Sequence, residues 1–292
     1  MKNINTLNIT KKLLKKYNIS AKKKFGQNFL IDDNILNDII TVADISSNEL
    51  IIEIGPGLGN LSEYILTKCQ DLLLVEIDKR MIDIINDRFK NRYSNYILLN
   101  DDILKLDIDK LVIEIENKNN INYRKVKVIA NLPYYITSPI LFKLLQNSER
   151  ISEIVVMVQK EVANRIVAKK KSKDYGILTL MIEYFGDATV EIDVNRDCFI
   201  PSPNVDSAIV KLVKNKKNII KEEDLLFKMI HFAFSQRRKK MINSLVSNKF
   251  LNLSKEEIEN ILRECGININ TRAEELELND YIRIVKFIVD RG

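Results

Sequence analysis

The sequence predicts an α/β protein in which a Rossmann-like, doubly wound parallel sheet precedes a smaller all-helical domain. Between about Leu50 and Val213, short apolar runs rich in β-branched residues alternate with helical periods. Glycines follow the first of these runs and open the next helix, and beyond Lys214 only helical spacing remains. Short buried strands set between helices are typical of parallel sheets that are covered by helices on both faces.

The elements of the first domain follow from these runs in chain order. Strands are predicted at Leu50–Ile54, Leu72–Glu76, Tyr96–Leu99, Val126–Ala130 and Ile154–Val158. Helical periods predict the connecting helices at Gly59–Lys68, Met81–Phe89, Pro139–Gln146 and near Val162–Ala168. Two further runs, Val190–Val194 and Ala208–Val213, would close the sheet as an antiparallel pair. Residues 114–125 are rich in asparagine and are predicted to form a polar loop.

A polar hinge at Lys214–Lys217 separates the second domain, so the predicted domains are residues 1–213 and 214–292. Ser254 stands three residues before Glu257, which is the spacing of a capping box at a helix start. Thr271 and Glu274 repeat that spacing. The helices predicted after the hinge are Glu222–Phe234, Arg237–Val246, Lys255–Cys265, Ala273–Glu277 and Asp280–Val289.

Basic side chains exceed acidic ones by 46 to 40, a net charge of +6. They are concentrated in three clusters, and separated basic clusters suit a polyanion that runs across a surface. Each cluster taken alone is equally typical of a solvated face. The clusters are Lys11, Lys12, Lys15, Lys16 and Lys22–Lys24; Lys169–Lys171 and Lys173; and Arg237–Lys240.

Several classes of protein are disfavoured by what the chain contains. Its cysteines, Cys69, Cys198 and Cys265, are far apart and have no paired spacing, which argues against disulfides or a zinc site and fits a reducing cytoplasm. No apolar stretch reaches transmembrane length. The single histidine, His231, lies in an apolar helical pattern that indicates a structural role. We therefore expect no membrane anchor, no metal site and no histidine-based triad.

Polar groups follow four successive predicted strands. The glycine-rich segment Glu53–Gly59 ends the first strand, and its Gly-x-Gly-x-Gly spacing differs from the dinucleotide-binding Gly-x-Gly-x-x-Gly. Glu76 ends the second strand, where an acid commonly binds a ribose diol. Asp102 follows the third strand and could meet the exocyclic amine of adenine, and Asn131 follows the fourth. Such groups lie along one crevice at the carboxyl edge of a parallel sheet.

The segment Asn131–Tyr134 (NLPY) supplies an amide, a fixed turn and an aromatic ring at the end of its strand. An amide oxygen and a backbone carbonyl can accept both N6 hydrogens of an adenine, and a tyrosine ring can stack on the base. A strand-ending turn with an exposed tyrosine is the alternative interpretation. S-adenosylmethionine fits this segment better than a nicotinamide dinucleotide for two reasons. The glycine spacing is unsuited to binding a pyrophosphate, and no histidine is placed to transfer a proton to or from a substrate hydroxyl.

Six segments, in order and with the right gaps over nearly the whole chain, resemble the small-subunit (16S) rRNA adenine N6,N6-dimethyltransferase family. This resemblance implies a methyltransferase sheet that binds S-adenosyl-L-methionine and dimethylates two adjacent adenines in a loop near the 3′ end of that RNA. The segments are Lys24–Leu30 (KFGQNFL), Glu53–Gly59 (EIGPGLG), Asn131–Pro139 (NLPYYITSP), Lys160–Arg165 (KEVANR), Phe199–Ser207 (FIPSPNVDS) and Phe234–Arg238 (FSQRR).

The resemblance also implies roles for individual residues. Asn28 and Leu30 would cover the methionine end of the donor, Gly55 would contact it through its backbone, and Phe199 would clamp the target adenine against Tyr134. The cofactor-binding residues expected are Asn28, Leu30, Gly55, Gly57, Glu76, Asp102 and Asn131. The catalytic residues expected are Asn131, Leu132, Pro133, Tyr134 and Phe199. The implied partner is a pre-30S ribosomal particle, acted on by a cytoplasmic monomer.

Three other functions stay open at this stage. A large-subunit rRNA adenine methyltransferase of the macrolide-resistance type shares the glycine loop and the core of the Asn131 segment. A ribosome-assembly factor could act mainly by binding. A DNA adenine methyltransferase would usually carry proline where this chain has Leu132. For Phe234–Arg238, an RNA contact and a role in helix capping and packing are two interpretations of equal weight.

Overall fold

The computed structural model describes residues 5–19, 27–215, 220–236, 239–247 and 251–291. The chain forms two compact units, one of Met1–Ala163 with Ala188–Lys214 and one of Asn164–Asp187 with Asn215–Gly292. The predicted domains 1–213 and 214–292 differ from these units in one segment, Asn164–Asp187, which groups with the C-terminal part of the chain.

The strands of the chain are β1 Phe29–Leu30, β2 Glu49–Ile54, β3 Asp71–Glu76, β4 Tyr96–Asn100, β5 Lys125–Asn131, β6 Ile151–Gln159, β7 Gly186–Val194, β8 Phe199–Ile200 and β9 Ser207–Lys214. Seven of them form one sheet in the order β4-β3-β2-β5-β6-β9-β7. Strands β2 to β6 pair in parallel, and β9 runs antiparallel to β6. The five predicted parallel strands are therefore confirmed, and the two further predicted strands, β7 and β9, are neighbours at the edge of the same sheet.

Strand β2 lies at the centre of this sheet, and every one of its residues is buried. It pairs with β3 on one side and with β5 on the other, so the direction in which the chain crosses the sheet reverses here. In open α/β sheets, ligands bind in the crevice beyond the carboxyl ends of the strands at such a reversal. The fold therefore places the predicted strand-end residues at a natural binding crevice.

The helices of the first unit begin with two that the sequence analysis did not predict, α1 Thr6–Lys16 and α2 Asp33–Ala43. The others are α3 Asn60–Leu66, α4 Lys79–Phe89, α5 Ile108–Asn119 and α6 Thr137–Gln146, while α7 Lys160–Ile166 spans the boundary after Ala163. The predicted polar loop at 114–125 is wrong over its first half, because α5 continues to Asn119. Helix α5 buries Ile108, Val112 and Ile115, spaced along one face, and ends where Asn120 adopts a left-handed conformation.

The second unit is helical, with α8 Ile177–Phe185, α9 Glu223–Ser235, α10 Met241–Ser247, α11 Lys255–Glu264 and α12 Leu278–Arg291. The capping box of Ser254 and Glu257 is confirmed at the start of α11. The helix predicted at Ala273–Glu277 is only a 3-10 turn, Ala273–Glu275. Thr271 does not cap it, because the N–H of Arg272 donates to Glu275 Oε2 (2.8 Å) instead. Arg237 and Arg238, like Lys22–Lys24, lie outside the described residues.

Candidate active site

A cavity in the first unit opens where β2, β3, β4 and β5 end. It brings together nearly all of the residues predicted for cofactor binding and catalysis. Those that line it are Asn28, Leu30, Gly55, Gly57, Glu76, Asp102, Asn131, Leu132, Pro133 and Tyr134. Phe199 is the exception and is treated separately below.

The glycine loop after β2 lets a ligand approach the backbone. Gly55 has a φ of +68°, and a Cβ added there would meet no atom within 4 Å, because this position faces the open cavity. Gly57 has a φ of +56°, and its Cβ would lie 3.2 Å from Cε1 of Phe29. Both positions need a left-handed conformation that glycine adopts at little cost. Side chains here would strain the loop and crowd the wall that Phe29 forms.

Glu76 is held in place at the end of β3 by two backbone groups. Its Oε2 accepts a hydrogen bond from the N–H of Gly57 (3.0 Å) and its Oε1 accepts one from the N–H of Asp78 (2.8 Å). Burial raises the pKa of Glu76, while these two hydrogen bonds oppose that rise. Each carboxylate oxygen can accept about two hydrogen bonds, so both retain capacity for a pair of ligand hydroxyls.

Glu53, one residue before the end of β2, is a site residue that the sequence analysis did not single out. It lines the cavity, and its Oε2 has no hydrogen-bond partner among the described residues. Burial raises the pKa of Glu53 from its usual 4.5 to about 8. A buried carboxylate oxygen without a partner is costly, and the neutral, protonated form of the carboxyl reduces that cost. Only tertiary packing reveals this unmatched oxygen, although Glu53 lies in the glycine motif.

The cavity is acidic throughout. Glu76, Asp101 and Asp102 line it beside Glu53, whose raised pKa favours a neutral carboxyl, and among the described residues of its walls there is no lysine, arginine or histidine. A concave acidic surface attracts cations and repels phosphates. These walls therefore suit a ligand with a sulfonium and an ammonium group, and they oppose a pyrophosphate.

Asn131 faces this cavity from the end of β5 with its amide oriented. Its Nδ2 donates to the backbone carbonyl of Asn28 (3.1 Å), which leaves Oδ1 as the acceptor for a ligand amine. The following residues turn tightly, with Pro133 at φ −61° before a 3-10 turn at Tyr134–Ile136. Tyr134 is half-buried, and its hydroxyl shares a hydrogen bond with Ser207 Oγ (2.6 Å), which restrains the ring.

Residues 27–30, which we call the lid strip, form one wall of the same cavity. Strand β1 within the strip pairs antiparallel with β8, Phe29 opposite Ile200 and Leu30 opposite Phe199. At the other end of the strip, Gln27 Nε2 donates to Asp78 Oδ2 (3.1 Å). The strip is therefore fixed from two sides by contacts within the protein.

The structure does not bring Phe199 into the cavity. Its side chain has 2% exposed surface and belongs to the hydrophobic core that also contains Leu30 and Ile209. A base can stack only on an exposed ring face, so Phe199 and Tyr134 form no clamp in this conformation. The exposed aromatic ring on the cavity wall is Tyr135, at 57%. It is the second tyrosine of the Asn-Leu-Pro-Tyr-Tyr segment, and the sequence analysis assigned it no role.

Comparisons with known proteins agree on one family. The family described as Ribosomal RNA adenine dimethylase matches residues 18–290. The chain is 43% identical over 277 residues to the Ribosomal RNA small subunit methyltransferase A of Lactococcus lactis subsp. lactis, with 94% of this chain and 92% of the relative covered. It is 40% identical over 284 residues to the protein of the same name from Lachnoclostridium phytofermentans, covering 97% and 96%.

Solved structures give the same result for the fold. A dimethyladenosine transferase from Plasmodium falciparum superposes with a TM-score of 0.76 at 27% identity, covering 90% of this chain and 98% of that one. The 23S rRNA methyltransferase ErmE superposes with a TM-score of 0.63 at 21% identity, covering 90% and 100%. At that identity the second likeness concerns the fold alone.

Proposed function

Because the chain belongs to the ribosomal RNA adenine dimethylase family, we infer that it transfers methyl groups from S-adenosyl-L-methionine to N6 of adenines in small-subunit rRNA. It is an S-adenosylmethionine-dependent (adenine-N6,N6)-dimethyltransferase, and its relatives named for the small subunit match over nearly their full length. The observation that carries the mechanism is the acidic cavity with the oriented Asn131 amide at its edge.

We assign the donor's parts to the cavity by their chemistry. Glu76 would accept the two ribose hydroxyls, Asp102 would accept the adenine amine, and the backbone at Gly55 and Gly57 would lie against the remainder. The lid strip, with Asn28 and Leu30, would cover the methionine end. When bound, S-adenosylmethionine supplies a methyl group made electrophilic by the positive sulfur. The surrounding carboxyl groups favour that charge.

The target adenine would be held by Asn131 and Tyr134. Asn131 Oδ1 accepts one N6 hydrogen, which aims the nitrogen lone pair away from the ring plane and towards the methyl group. We assign the second acceptor to the Leu132 carbonyl, because the Pro133 carbonyl already accepts from the N–H of Ile136 and from Thr137 Oγ1. The ring of Tyr134 would stack on the base, and such stacking is worth about 1–3 kcal/mol. Alignment of this kind lowers the barrier without a strong base.

The family to which the chain belongs supports a finer proposal for the substrate. We propose that the targets are two adjacent adenines in a loop near the 3′ end of the RNA, within a pre-30S particle, and that a cytoplasmic monomer modifies them. A loop base costs least to turn out of its stack. We expect Phe199 to take part only if the ring leaves the core when RNA binds. The large-subunit alternative is not favoured, because the relatives at 40–43% identity are named for the small subunit.

Methylation of undermodified small-subunit particles and of large-subunit RNA, each read out by mass spectrometry of nucleosides, tests this function. We expect N6,N6-dimethyladenosine in small-subunit RNA only. Product confined to large-subunit RNA would overturn the substrate assignment. Tight binding to the particles with no product at all would favour an assembly factor that acts mainly by binding.

Substitution Glu76→Ala tests the donor assignment. We expect donor affinity to fall by a factor of about 100 or more, since two charge-assisted hydrogen bonds to the ribose are lost, while RNA affinity is kept. Calorimetry with S-adenosylhomocysteine and filter binding with RNA measure the two affinities. The exposed Glu256→Ala serves as the control for loss of one carboxylate. Normal donor affinity in Glu76→Ala would remove Glu76 from the site.

A further inference from the structure

Asn60, the first residue of α3, joins three elements of the first unit through its side-chain amide. Its Nδ2 donates to Thr10 Oγ1 of α1 (2.8 Å) and to the backbone carbonyl of Leu30 in the lid strip (2.9 Å). Its Oδ1 accepts from Arg88 Nη1 of α4 (3.1 Å). The residue is only 6% exposed. Every polar hydrogen of the amide is therefore used within the protein.

Because both N–H groups of the Asn60 amide are already hydrogen-bonded, Asn60 can influence ligand binding only in certain ways. Asn60 lines the donor cavity, but an amide has only two N–H donors and both are taken. Its side chain has no N–H left to offer a ligand. The influence of the amide N–H groups on a ligand therefore passes through Leu30, whose carbonyl one of them holds.

Arg88 extends the connection to the glycine loop on another wall of the cavity. The same Nη1 that donates to Asn60 also donates to the carbonyl of Leu58, and Nη2 pairs with Glu63. Arg88 has 7% side-chain exposure, and Glu63 has 4%. Buried charge-assisted bonds of this kind are strong and directional. One buried network thus ties the lid strip to the glycine loop.

We propose that Asn60 is a positioning residue for the methyl donor, holding the Leu30 carbonyl so that the lid strip is already closed against the donor cavity. The inference rests on the proposed function of that cavity. A wall that is ordered before the ligand arrives spares the entropy of ordering it on binding, and this raises affinity. The strip also carries the Asn28 carbonyl that orients Asn131, so its position bears on both halves of the site.

Substitution Asn60→Asp separates positioning from folding. Aspartate keeps an acceptor for Arg88 and is favourable in the first turn of a helix, but it cannot donate to Leu30 and its charge repels that carbonyl. We expect the donor Kd and KM to rise about tenfold or more, with kcat lowered by less than about threefold and RNA affinity unchanged. Asn60→Ser, which is too short to reach Leu30, should show the same pattern if the aspartate variant fails to fold.

The matched control is Thr6→Val, which removes a buried hydroxyl from the same helix α1. Thr6 is 1% exposed, and its hydroxyl donates to Asp33 and not to Asn60. We expect a lower melting temperature but a donor Kd within about twofold of the parent. Equal losses of donor affinity in Thr6→Val and both Asn60 variants, at equal loss of melting temperature, would reduce Asn60 to a structural residue.

The same calorimetry distinguishes failure of this inference from failure of the proposed function. If the parent protein does not bind S-adenosylhomocysteine, the donor cavity itself is misassigned. If the parent binds and both Asn60 variants bind equally well, only the positioning role is overturned. Weakened RNA affinity with intact donor affinity would also overturn it.

Discussion

Two carboxyl groups, Glu53 and Glu76, share one cavity but differ in what surrounds them. Backbone N–H groups satisfy both oxygens of Glu76, whereas Glu53 Oε2 has no partner among the described residues. Burial, with a smaller contribution from the charge of Glu76, raises the pKa of Glu53 to about 8. The Glu53 carboxyl therefore favours its neutral form at neutral pH.

This proton makes stability depend on pH. The pKa of Glu53 rises from 4.5 to about 8 on folding, so the folded state binds the extra proton between these values. The stabilisation is fully present below 4.5 and is lost as the pH rises through about 8. We expect the melting temperature to fall between about pH 5 and about pH 8, and to fall less in Glu53→Gln, which cannot titrate. Parallel curves for the two proteins would show that Glu53 is ionised when folded.

The position of several site residues could be predicted from the sequence because it follows from strand ends. Glu76, Asp102 and Asn131 each stand directly after an apolar run, and parallel strands bring their carboxyl ends to one edge. Asn60 could not be found this way, since its partners Thr10 and Leu30 lie 50 and 30 residues away. The burial of Phe199 likewise depends on the pairing of β8 with β1.

At the scale of elements, periodicity predicted the strands better than the helices. A buried parallel strand is a continuous apolar run, which few other structures resemble. Helix α5 was missed because its C-terminal turn is rich in asparagine, although Ile108, Val112 and Ile115 carry the helical spacing. Helix α1 has basic side chains over much of its surface, and its apolar side is visible only where Leu13 and Leu14 pack against Phe29 and its neighbours.

Strands β2, β5 and β6 share a buried ion network at the end of the sheet opposite the cavity. Lys127 Nζ donates to the carbonyls of Ala43 (3.0 Å) and Asp44 (2.7 Å) and pairs with Glu49 (3.1 Å) and Glu153 (3.7 Å). Its side chain is 3% exposed. We therefore expect the network to stabilise the sheet and to take no part in the chemistry of the cavity.

Substitution Lys127→Ala should show this separation. Removal of the ammonium leaves the buried Glu49 without Lys127, while Glu153 keeps its pairs with Lys125 and Lys211, so we expect unfolding free energy to fall by about 3–5 kcal/mol. Donor affinity should be unchanged below the melting transition, because the cavity lies at the other end of β5. Denaturant titration and calorimetry measure the two quantities. Lys118→Ala, on the exposed face of α5, is the control, and a loss no larger than the control's would show that the network contributes nothing.

For the molecule as a whole, charge is distributed in a way that separates the two ligands. The cavity is lined by acids, while the chain carries a net charge of +6 with basic residues concentrated in separated clusters. A cationic donor and an anionic RNA are thus attracted to different parts of the surface. Arg237 and Arg238, in the third cluster, lie outside the described residues, and an RNA contact there stays a prediction.

Salt should therefore weaken RNA binding selectively. Each phosphate contact releases counterions, so we expect RNA affinity to fall by a factor of about 10 or more between roughly 50 and 200 mM salt. Donor binding in the enclosed cavity should change by less than about threefold over the same range. Filter binding and calorimetry at matched salt concentrations measure both. RNA affinity that is independent of salt would exclude the basic clusters as its main source.

The pairing of β1 with β8 has a thermodynamic consequence. Leu30 forms a wall of the donor cavity and also pairs with Phe199, and the chain that leaves β8 enters β9 at Ser207, which holds Tyr134. Any ligand that selects one position of β1 thereby biases the backbone beside Tyr134. Such coupling is reciprocal, so the factor by which the donor strengthens RNA binding equals the factor by which RNA strengthens donor binding. The overall affinity of the ternary complex is the same whichever ligand binds first, because it is a state function, so the ladder of β1 and β8 would set only the size of the coupling.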